Sequence, residues 1–381
     1  MNCHPHIPSP SALTPWRGLE QAACEPAPQA AHFWLHAALT HLPVRDRPWL
    51  ARVEDPDDAL PLAIAGLRKT RRFGPLGRLA STRWGEFFFS GLPLLRQGAE
   101  RQALDGLLWA ASGMGAKAME LASIPAQGPV MAALKQVAGD KGLLVKEMVH
   151  WRRAALDARQ SPAQWWQDDI PRKKRKEYAR LMRRLKEAGE VSFQIMKTGE
   201  DPSPWIDDFL ALEARGWKGR AGTAIACKPA LRHFVEAALR AAAAAGALRF
   251  WRLSLNERTI AILFGFVQDE NLWLGKMAHA EDLGRYSPGV LLIIEATRDI
   301  LADPRITFAD SCAAPHHPMI DRLWKQRLAL TDVVIAAPGV LAPRVRLMLM
   351  LEALCLRART MLKRLWHGLR ARLGGKRKRA A

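Results

Sequence analysis

The sequence has few cysteines and no long apolar run. Its five cysteines, Cys3, Cys24, Cys227, Cys312 and Cys355, are scattered and form no C-x-x-C pair. This argues against a disulfide framework or a zinc knuckle and predicts a reducing compartment. No stretch supplies the roughly 18 uncharged apolar residues of a membrane-spanning helix. The first thirty residues hold six prolines and lack the basic start and apolar run of a signal peptide, so we expect a cytoplasmic protein.

Acidic residues are also scarce, with 37 Asp and Glu against 57 Lys and Arg and a formal net charge of +20. This surplus favours an anionic partner such as nucleic acid, an acidic membrane surface or a phosphorylated cofactor. The 381 residues are enough for two domains, and the 49% of apolar residues can supply a sizeable core.

Several common catalytic motifs are missing. There is no H-E-x-x-H and no G-x-S-x-G, so zinc-protease and α/β-hydrolase functions have no support. The segment S-G-M-G-A-K (residues 112–117) lacks the Walker spacing and is interpreted as a turn between a helix and a strand. Cys312, His316 and His317 share one segment without a second ligand cluster, so no metal is predicted.

Helical and strand patterns alternate along most of the chain. Residues 1–30 are rich in proline and alanine and predict a disordered arm. From residue 31 the alternation indicates α/β layers. The second half predicts a strand, two helices, a three-strand meander, a helix, a strand, a helix over 317–327 and a final strand over 331–337. The short turns within the meander require antiparallel neighbours.

Two segments concentrate positive charge. The predicted helix 172–186 carries nine Lys and Arg in fifteen residues, which could form a solvated face or follow a phosphate backbone. Only Tyr178 offers the aromatic stacking that single-stranded nucleic acid would need. From Arg344 to Arg379, twelve Lys and Arg accompany one acid, Glu352, which leaves +11 (12 − 1).

The tail, residues 343–381, combines this charge with apolar side chains at helical spacing. The apolar stripe consists of Leu354, Ala358, Met361, Leu365, Leu369 and Leu373. Most cations fall on the other side: Arg357, Arg359, Lys363, Arg364 and Arg370, with Trp366 at the border and Arg372 intruding on the apolar side. Such a helix could lie in an anionic lipid surface. It could equally dock on the protein and leave a disordered basic end.

Three sequence words in the second half point to a known family. A basic helix, K-K-R-K-E-x-x-R-x-x-R-R-L-K-E-x-G-E, precedes F-L-x-L-E-A-R-G-W-K-G-R-A-G-T-A, and Y-S-P-G-x-L-L-x-x-E-A follows the meander. In this order they resemble the CelD/BioF2-like acyltransferases of the GNAT superfamily, a family related to the Fem peptidyltransferases. The resemblance implies an α/β fold of two GNAT-like units in tandem, with mixed, mostly antiparallel sheets flanked by helices. A degenerate first unit would span 31–160 and the acyltransferase unit 165–340.

The resemblance also implies acetyl-CoA or a longer acyl-CoA as co-substrate. Its diphosphate is expected at the start of the helix after the meander, where N–H groups and the helix dipole favour anions. The expected binding residues are Arg285, Tyr286, Ser287, Pro288 and Gly289. Ser287 can cap this helix, Pro288 suits its first position and Gly289 permits a close approach. The usual Q/R-x-x-G-x-G/A loop is absent, so another activated acyl donor remains open.

The loop around Trp217 is expected to cover the acceptor cleft. The substrate-binding candidates are Trp217, Lys218, Arg220 and Glu213, with Lys218 holding an anionic group and Trp217 forming a wall. The alternative is a helix cap at Gly216 with Trp217 buried in the core. Glu213 could instead be a surface residue or the partner of a nearby cation.

The acceptor amine must lose a proton, and Asp310, His317 and His279 are the candidates to accept it. Asp310 ends a strand, where α/β sheets place chemistry, although an Asp there can also cap the following turn. His279 could simply be exposed. Cys312 as an acylated nucleophile would lack an assigned base.

These observations predict an N-acyltransferase that moves an acyl group from a CoA thioester to an amine of an envelope polysaccharide or lipid precursor. The amine would attack directly, with the oxyanion polarised by backbone N–H groups near splayed strands. The predicted partners are acyl-CoA, an amine-bearing small molecule or lipid, and an anionic membrane at its inner face through the tail, rather than nucleic acid. The alternatives are a non-catalytic basic protein that binds nucleic acid or anionic membrane, and a pseudoenzyme scaffold in polysaccharide biosynthesis.

Overall fold

The computed structural model describes residues 2–4, 13–70, 77–351, 354, 358, 361, 362 and 366. These residues build one mixed sheet of thirteen strands with helices on its faces. The strand order is β1-β2-β3-β4-β6-β13-β7-β12-β11-β10-β9-β8, and β5 pairs with β3. Only β4 with β6 and β11 with β12 run parallel among the described pairs, and the remaining pairs are antiparallel. The predicted α/β class with a mostly antiparallel mixed sheet is confirmed.

The first half alternates short strands and helices, as the hydrophobic patterns predict. Its strands are β1 (Asn2–His4), β2 (Trp49–Val53), β3 (Ala63–Thr70), β4 (Leu79–Ser81), β5 (Leu94–Leu95), β6 (Ala118–Pro125) and β7 (Val145–Asp157). Its helices are α1 (Leu13–Gln21), α2 (His32–His41), α3 (Glu100–Gly113) and α4 (Pro129–Asp140). The segment 112–117 contains the end of α3 and the turn that leads to β6, in agreement with the predicted turn between a helix and a strand.

The second half begins with five α-helices, and one strand follows the second of them. Its helices are α5 (Pro162–Asp168), α6 (Arg172–Glu187), α7 (Ser203–Arg215), α8 (Trp217–Arg220), α9 (Pro229–Ala244) and α10 (Pro288–Ala302). Its strands are β8 (Val191–Ile195), β9 (Leu248–Leu255), β10 (Arg258–Gln268), β11 (Asn271–His279), β12 (Phe308–Asp310) and β13 (Gln326–Ala336). The predicted meander is β9-β10-β11, and its neighbours are antiparallel.

The two halves share strands at the centre of the sheet. β13 lies between β6 and β7, which both belong to the first half, and it is antiparallel to each. β7 in turn pairs with β12 of the second half. Both halves show the same order of an antiparallel meander, a helix and a parallel pairing. This matches two GNAT-like units whose last strands complete one continuous sheet, while the boundaries at 31–160 and 165–340 stay predictions.

The core is continuous across both halves. Trp34 of α2 packs its ring against Phe234 of α9 at 4.9 Å and against Phe266 of β10 at 5.4 Å between centroids. Phe264 and Phe266 extend this aromatic cluster along β10. A large aromatic core of this kind fixes the helices relative to the sheet and therefore fixes the cleft that they border.

Two sequence-based predictions of local structure are wrong. Within the proposed disordered arm, residues 13–21 form α1, Trp16 is 1% exposed, and its indole N–H donates to Ala30 O at 3.0 Å. Proline and alanine content hid the buried apolar face of that helix; residues 5–12 of the arm lie outside the described residues. The predicted helix 317–327 is a single 3-10 turn at Ile320–Arg322, because the chain enters β13 already at Gln326.

The tail starts as a helix at residue 342. Val345, Met348 and Leu349 are buried against β4, β6 and β13 near the middle of the sheet. The predicted stripe positions Leu365, Leu369 and Leu373 and the predicted opposing cations lie outside the described residues. Among the helices that the structure describes, none has the length and apolar character to cross a membrane.

Candidate active site

The sheet opens where β11 and β12 separate. Their parallel ladder joins Asn271 to Phe308, Leu272 to Ala309 and Trp273 to Asp310. β11 then continues to His279, whereas the chain after Asp310 turns towards β7, and Ser311 N–H donates to Ala154 O at 3.2 Å. The edge of β11 beyond Trp273 therefore has no ladder partner on that side within the described part of the chain. This is the splay that the resemblance implied.

A cavity of about 490 Å³ lies in this opening. One wall is β11 from Leu274 to His279, and the opposite wall is the segment from Ser311 to Ile320. The end of α7 and the start of α8 close a third side, and Ile293 of α10 contributes to the floor. The site candidates that line the cavity are Glu213, Trp217, Lys218, His279 and His317.

Glu213 is the central charged group of this cavity. Its side chain is 3% exposed and lies 3.1 Å from Lys218 Nζ and 3.5 Å from Lys276 Nζ through Oε1. Its Oε2 accepts the Ile225 N–H at 2.9 Å. Burial by itself would raise the pKa of Glu213, but the Ile225 N–H and the two lysines outweigh it and lower that pKa. Glu213 is thus an ionised, fully engaged carboxylate that pairs with cations and is not a surface residue.

Lys276 is the functional candidate that sequence reasoning missed. It is half-buried on β11, and its Nζ lies 3.9 Å from the centroid of the Phe87 ring. Burial lowers the pKa of this ammonium, and the positive charge of Lys218 lowers it further. The carboxylate of Glu213 opposes this effect only in part. Lys276 lies on the same face of β11 as the buried Leu272 and Leu274. A lysine at an apolar position of this alternation was the sequence feature that could have identified it.

The tight turn between α7 and α8 explains why glycines flank Trp217 and Lys218 in the sequence. Gly216 caps α7, and a Cβ on Gly219 would lie 1.7 Å from Ala214 O, so only glycine fits there. Glu281, just after β11, accepts the Trp217 N–H at 2.7 Å and pairs with Arg220 at 2.6 Å. These contacts attach the turn to the end of β11.

The side chain of Trp217 is 60% exposed and lines the cavity. The alternative of a Trp buried in the core is therefore wrong, although the cap at Gly216 is present. Arg220 is exposed and engaged with Glu281 outside the cavity lining. Within the described residues, the predicted acceptor loop thus contributes Trp217 and Lys218 to the cavity wall.

Asp310 does not reach the cavity. It is buried, its Oδ2 lies 2.5 Å from Arg153 Nη2, and its Oδ1 accepts the Cys312 N–H at 3.0 Å. This is the turn-capping alternative, joined to a buried ion pair between β7 and β12. Both oxygens are occupied, so the placement gives no support to Asp310 as the proton acceptor. His279 and His317 remain as candidates in the cavity wall.

Cys312 also lines the cavity. Burial, reinforced by Asp310, raises the pKa of its thiol well above the usual range. The thiol is therefore protonated at neutral pH, which disfavours it as an acylated nucleophile. No group of three or more potential metal ligands occurs among the described residues.

The predicted diphosphate site lies beside the cavity rather than in its lining. Tyr286, Pro288 and Gly289 are buried, and Arg285 is exposed with its guanidinium 4.7 Å from the Tyr286 ring. Pro288 opens α10 as predicted, but Ser287 has φ 51° and its side chain makes no capping hydrogen bond, so the predicted cap is wrong. A Cβ on Gly289 would lie 2.8 Å from Met277 and 3.6 Å from His279. The start of α10 thus packs directly on cavity-lining residues.

Comparison with known proteins agrees with this architecture. Residues 172–316 match the family model described as an acetyltransferase (GNAT) domain. These residues contain α6 to β12 and most of the cavity wall. Residues 172–316 are therefore similar to this acetyltransferase domain. The chain matches none of the curated protein sequences.

Solved structures extend the likeness over most of the chain. FemX has 10% identity and a TM-score of 0.57 over 88% of this chain and 97% of its own. The C-terminal domain of a protein described as a lysylphosphatidylglycerol synthetase from Agrobacterium fabrum has 12% identity and a TM-score of 0.55, covering 92% and 96%. L-PGS from Bacillus licheniformis has 12% identity and a TM-score of 0.53, covering 90% and 96%. At such identities the likeness establishes the fold.

Proposed function

We propose that this protein is an N-acyltransferase that moves an acyl group from a CoA thioester to an amine acceptor. The observation that carries the proposal is the cavity at the splayed strands of a GNAT domain, with the charged cluster of Glu213, Lys218 and Lys276 at one end. Its unpaired β11 edge can offer backbone N–H groups to the oxygen of the thioester, where negative charge develops during attack.

The residues around the cavity suit an acyl donor in two ways. Its walls are largely apolar, with Leu212, Leu263, Leu274, Ile293 and Met277 among them, which suits an acyl chain or a pantetheine arm. The start of α10 adjoins Met277 and His279, so a diphosphate there would continue from the cavity. Arg285 and the Gly289 N–H are the groups proposed to hold it.

The charged end of the cavity suits a substrate that carries an anionic group. Lys218 and Lys276 share one carboxylate, so this cluster keeps one positive charge in excess. In this proposal the two lysines bind the anionic group and Trp217 forms a wall beside it. His279 or His317 accepts the proton that the amine loses, because the carboxylates of Glu213 and Asp310 are already engaged.

The proposed acceptor is an amine of an envelope polysaccharide or lipid precursor. FemX, L-PGS and the domain described as a lysylphosphatidylglycerol synthetase share the fold, and the name of the last refers to a lipid product. The proposed setting is the cytoplasm, peripheral at the inner face of the membrane. The rival is a scaffold of the same fold without activity, favoured by the absence of the usual acyl-CoA loop.

Thiol release from acetyl-, butyryl- and octanoyl-CoA, with glucosamine or phosphatidylethanolamine as acceptor, tests this proposal. We expect release that depends on the acceptor and that falls at least about ten-fold in Lys276→Met, from loss of a charge-assisted contact. Lys135→Met, which removes a paired surface lysine on α4, is the matched control. Absence of both thiol release and a thermal shift with all three thioesters would favour the inactive scaffold.

A further inference from the structure

Apolar side chains crowd the surface of the tail helix, defined here as the helical residues from 342 to 366 that the structure describes. Most of the exposed large apolar side chains among the described residues belong to this part of the chain. They are Leu347, Met350, Leu351, Leu354, Met361, Leu362 and Trp366. Leu354, Met361 and Leu362 are 51%, 64% and 65% exposed. A contiguous patch of this kind marks an interaction surface.

The base of the tail helix is fixed to the protein by a different face. Val345, Met348 and Leu349 pack on Leu79 of β4, Ala118 of β6 and Val334 and Ala336 of β13. Leu347, Leu354 and Met361 follow one another at seven-residue spacing, so they share one side of the helix. At 100° per residue that side lies away from the docked one. The helix therefore does not bury this apolar stripe by docking on its own sheet.

The charge of the same segment indicates what covers the stripe. Between Arg344 and Arg379 the sequence has twelve Lys and Arg and one acid, a charge of +11 (12 − 1). Ten of these cations lie outside the described residues and enter here only as charge in the sequence, while the two described ones, Arg344 and Arg346, are exposed. An exposed apolar side on a segment of high positive charge is typical of a helix that lies in the interface of an anionic bilayer.

We propose that the tail helix is a membrane-docking surface for bilayers with anionic headgroups. Its apolar stripe enters the headgroup boundary, and its cations contact the anionic lipids. A second copy of this chain is a poorer occupant, because each tail would bring +11 against another +11. Since the base of the helix is attached to β4, β6 and β13, docking would hold the sheet at a set position beside the membrane. This inference is independent of the catalytic proposal.

Co-sedimentation of the full chain with vesicles tests the docking surface. The probes are phosphatidylcholine vesicles with and without one quarter phosphatidylglycerol, at low and high salt. We expect binding to the anionic vesicles only, weakened by salt. Leu354→Glu and Met361→Glu should each reduce the association constant by about ten-fold or more, since each removes an apolar group from the interface.

Val44→Glu is the matched control, because it adds the same charge at an 83% exposed site after α2. It should bind as the parent does, and unfolding curves should show all three variants folded. Equal binding of Leu354→Glu and the parent would overturn the proposal, as would absence of binding to anionic vesicles. A dimer in sedimentation velocity that Leu354→Glu dissolves, without vesicle binding, would assign the stripe to a second copy instead.

Discussion

Glu213 organises the cavity at the scale of single residues. Its carboxylate holds Lys218, Lys276 and the Ile225 N–H together at the end of α7. Glu213→Gln would leave both lysines without their carboxylate while preserving the shape of the side chain. We expect the free energy of unfolding at pH 7 to fall by about 2 kcal/mol, below the full value of a buried pair because both lysines are partly exposed.

The pH dependence of this difference follows from the lowered pKa of Glu213. A carboxyl group whose pKa is lower in the folded than in the unfolded state stabilises the protein above the unfolded pKa. That contribution is lost as the pH falls through the folded value, here below the ordinary 4.5. Urea unfolding of the parent and Glu213→Gln should therefore converge as the pH falls below the ordinary carboxyl value of 4.5. Glu236→Gln, which removes the pair with Arg232 on α9, is the control; a constant difference across this pH range would contradict the prediction.

His279 and His317 are the residues on which proton transfer depends in the proposed mechanism. His279→Asn or His317→Asn, whichever removes the residue that accepts the proton from the amine, should lower turnover by about a hundred-fold or more. Turnover with the most active acyl-CoA checks this, and circular dichroism checks that each variant is folded. Two folded variants with parental turnover would remove both histidines from the chemistry.

Asp310 provides a contrasting case, since its place is in the framework. Asp310→Asn leaves the buried Arg153 without its carboxylate and should cost about 3 kcal/mol or more in urea unfolding. The folded enzyme should keep turnover within a few-fold of the parent. The double variant Arg153→Met/Asp310→Asn should recover part of the stability, because it also removes the unpaired charge. A loss of turnover that exceeds a hundred-fold in a folded variant would return Asp310 to the chemistry.

The short helix α8 places Lys218 in the cavity wall, where the proposed acceptor would bind. A Cβ at Gly219 would lie 1.7 Å from Ala214 O, so Gly219→Ala must displace α8 and with it Lys218. We expect a rise in KM for the acceptor of about ten-fold or more with little change for the acyl-CoA. Gly222→Ala is a control for chain stiffness, although its φ of 67° carries its own strain. Unchanged kinetics in Gly219→Ala would separate α8 from acceptor binding.

Elements with a strong local pattern could be predicted from the sequence, and elements fixed by distant contacts could not. The meander β9-β10-β11 and the helix α10 follow from short turns and apolar periodicity. Helix α1 could not be predicted because it depends on Trp16, which is buried and donates its indole N–H to Ala30 O. The segment 317–327 has helical periodicity, but the pairing of β13 with β7 begins at Gln326. This pairing ends any helix before that residue. At the site, Lys218 was predicted from its loop, whereas Lys276 is significant only through its distance to Glu213.

At the scale of the whole molecule, the exchange of central strands joins the two halves into one sheet. β13 inserts between β6 and β7, and β7 pairs with β12 beside the opening of the cavity. No local pattern in the sequence predicts these strand pairings, because the paired strands are more than a hundred residues apart along the chain. The first half therefore supports the strand beside which the cavity opens, even though most cavity residues belong to 172–316.

The central claim is that the cavity between β11 and the segment after Asp310 transfers an acyl group. The most direct test is time-resolved release of CoA thiol from the acyl-CoA series, with mass spectrometry of the acceptor. The account predicts stoichiometric appearance of CoA and an N-acylated amine, reduced in Lys276→Met and unchanged in Lys135→Met. Thiol release that Lys276→Met leaves at the parental rate, or no acylated product from any donor, would contradict it.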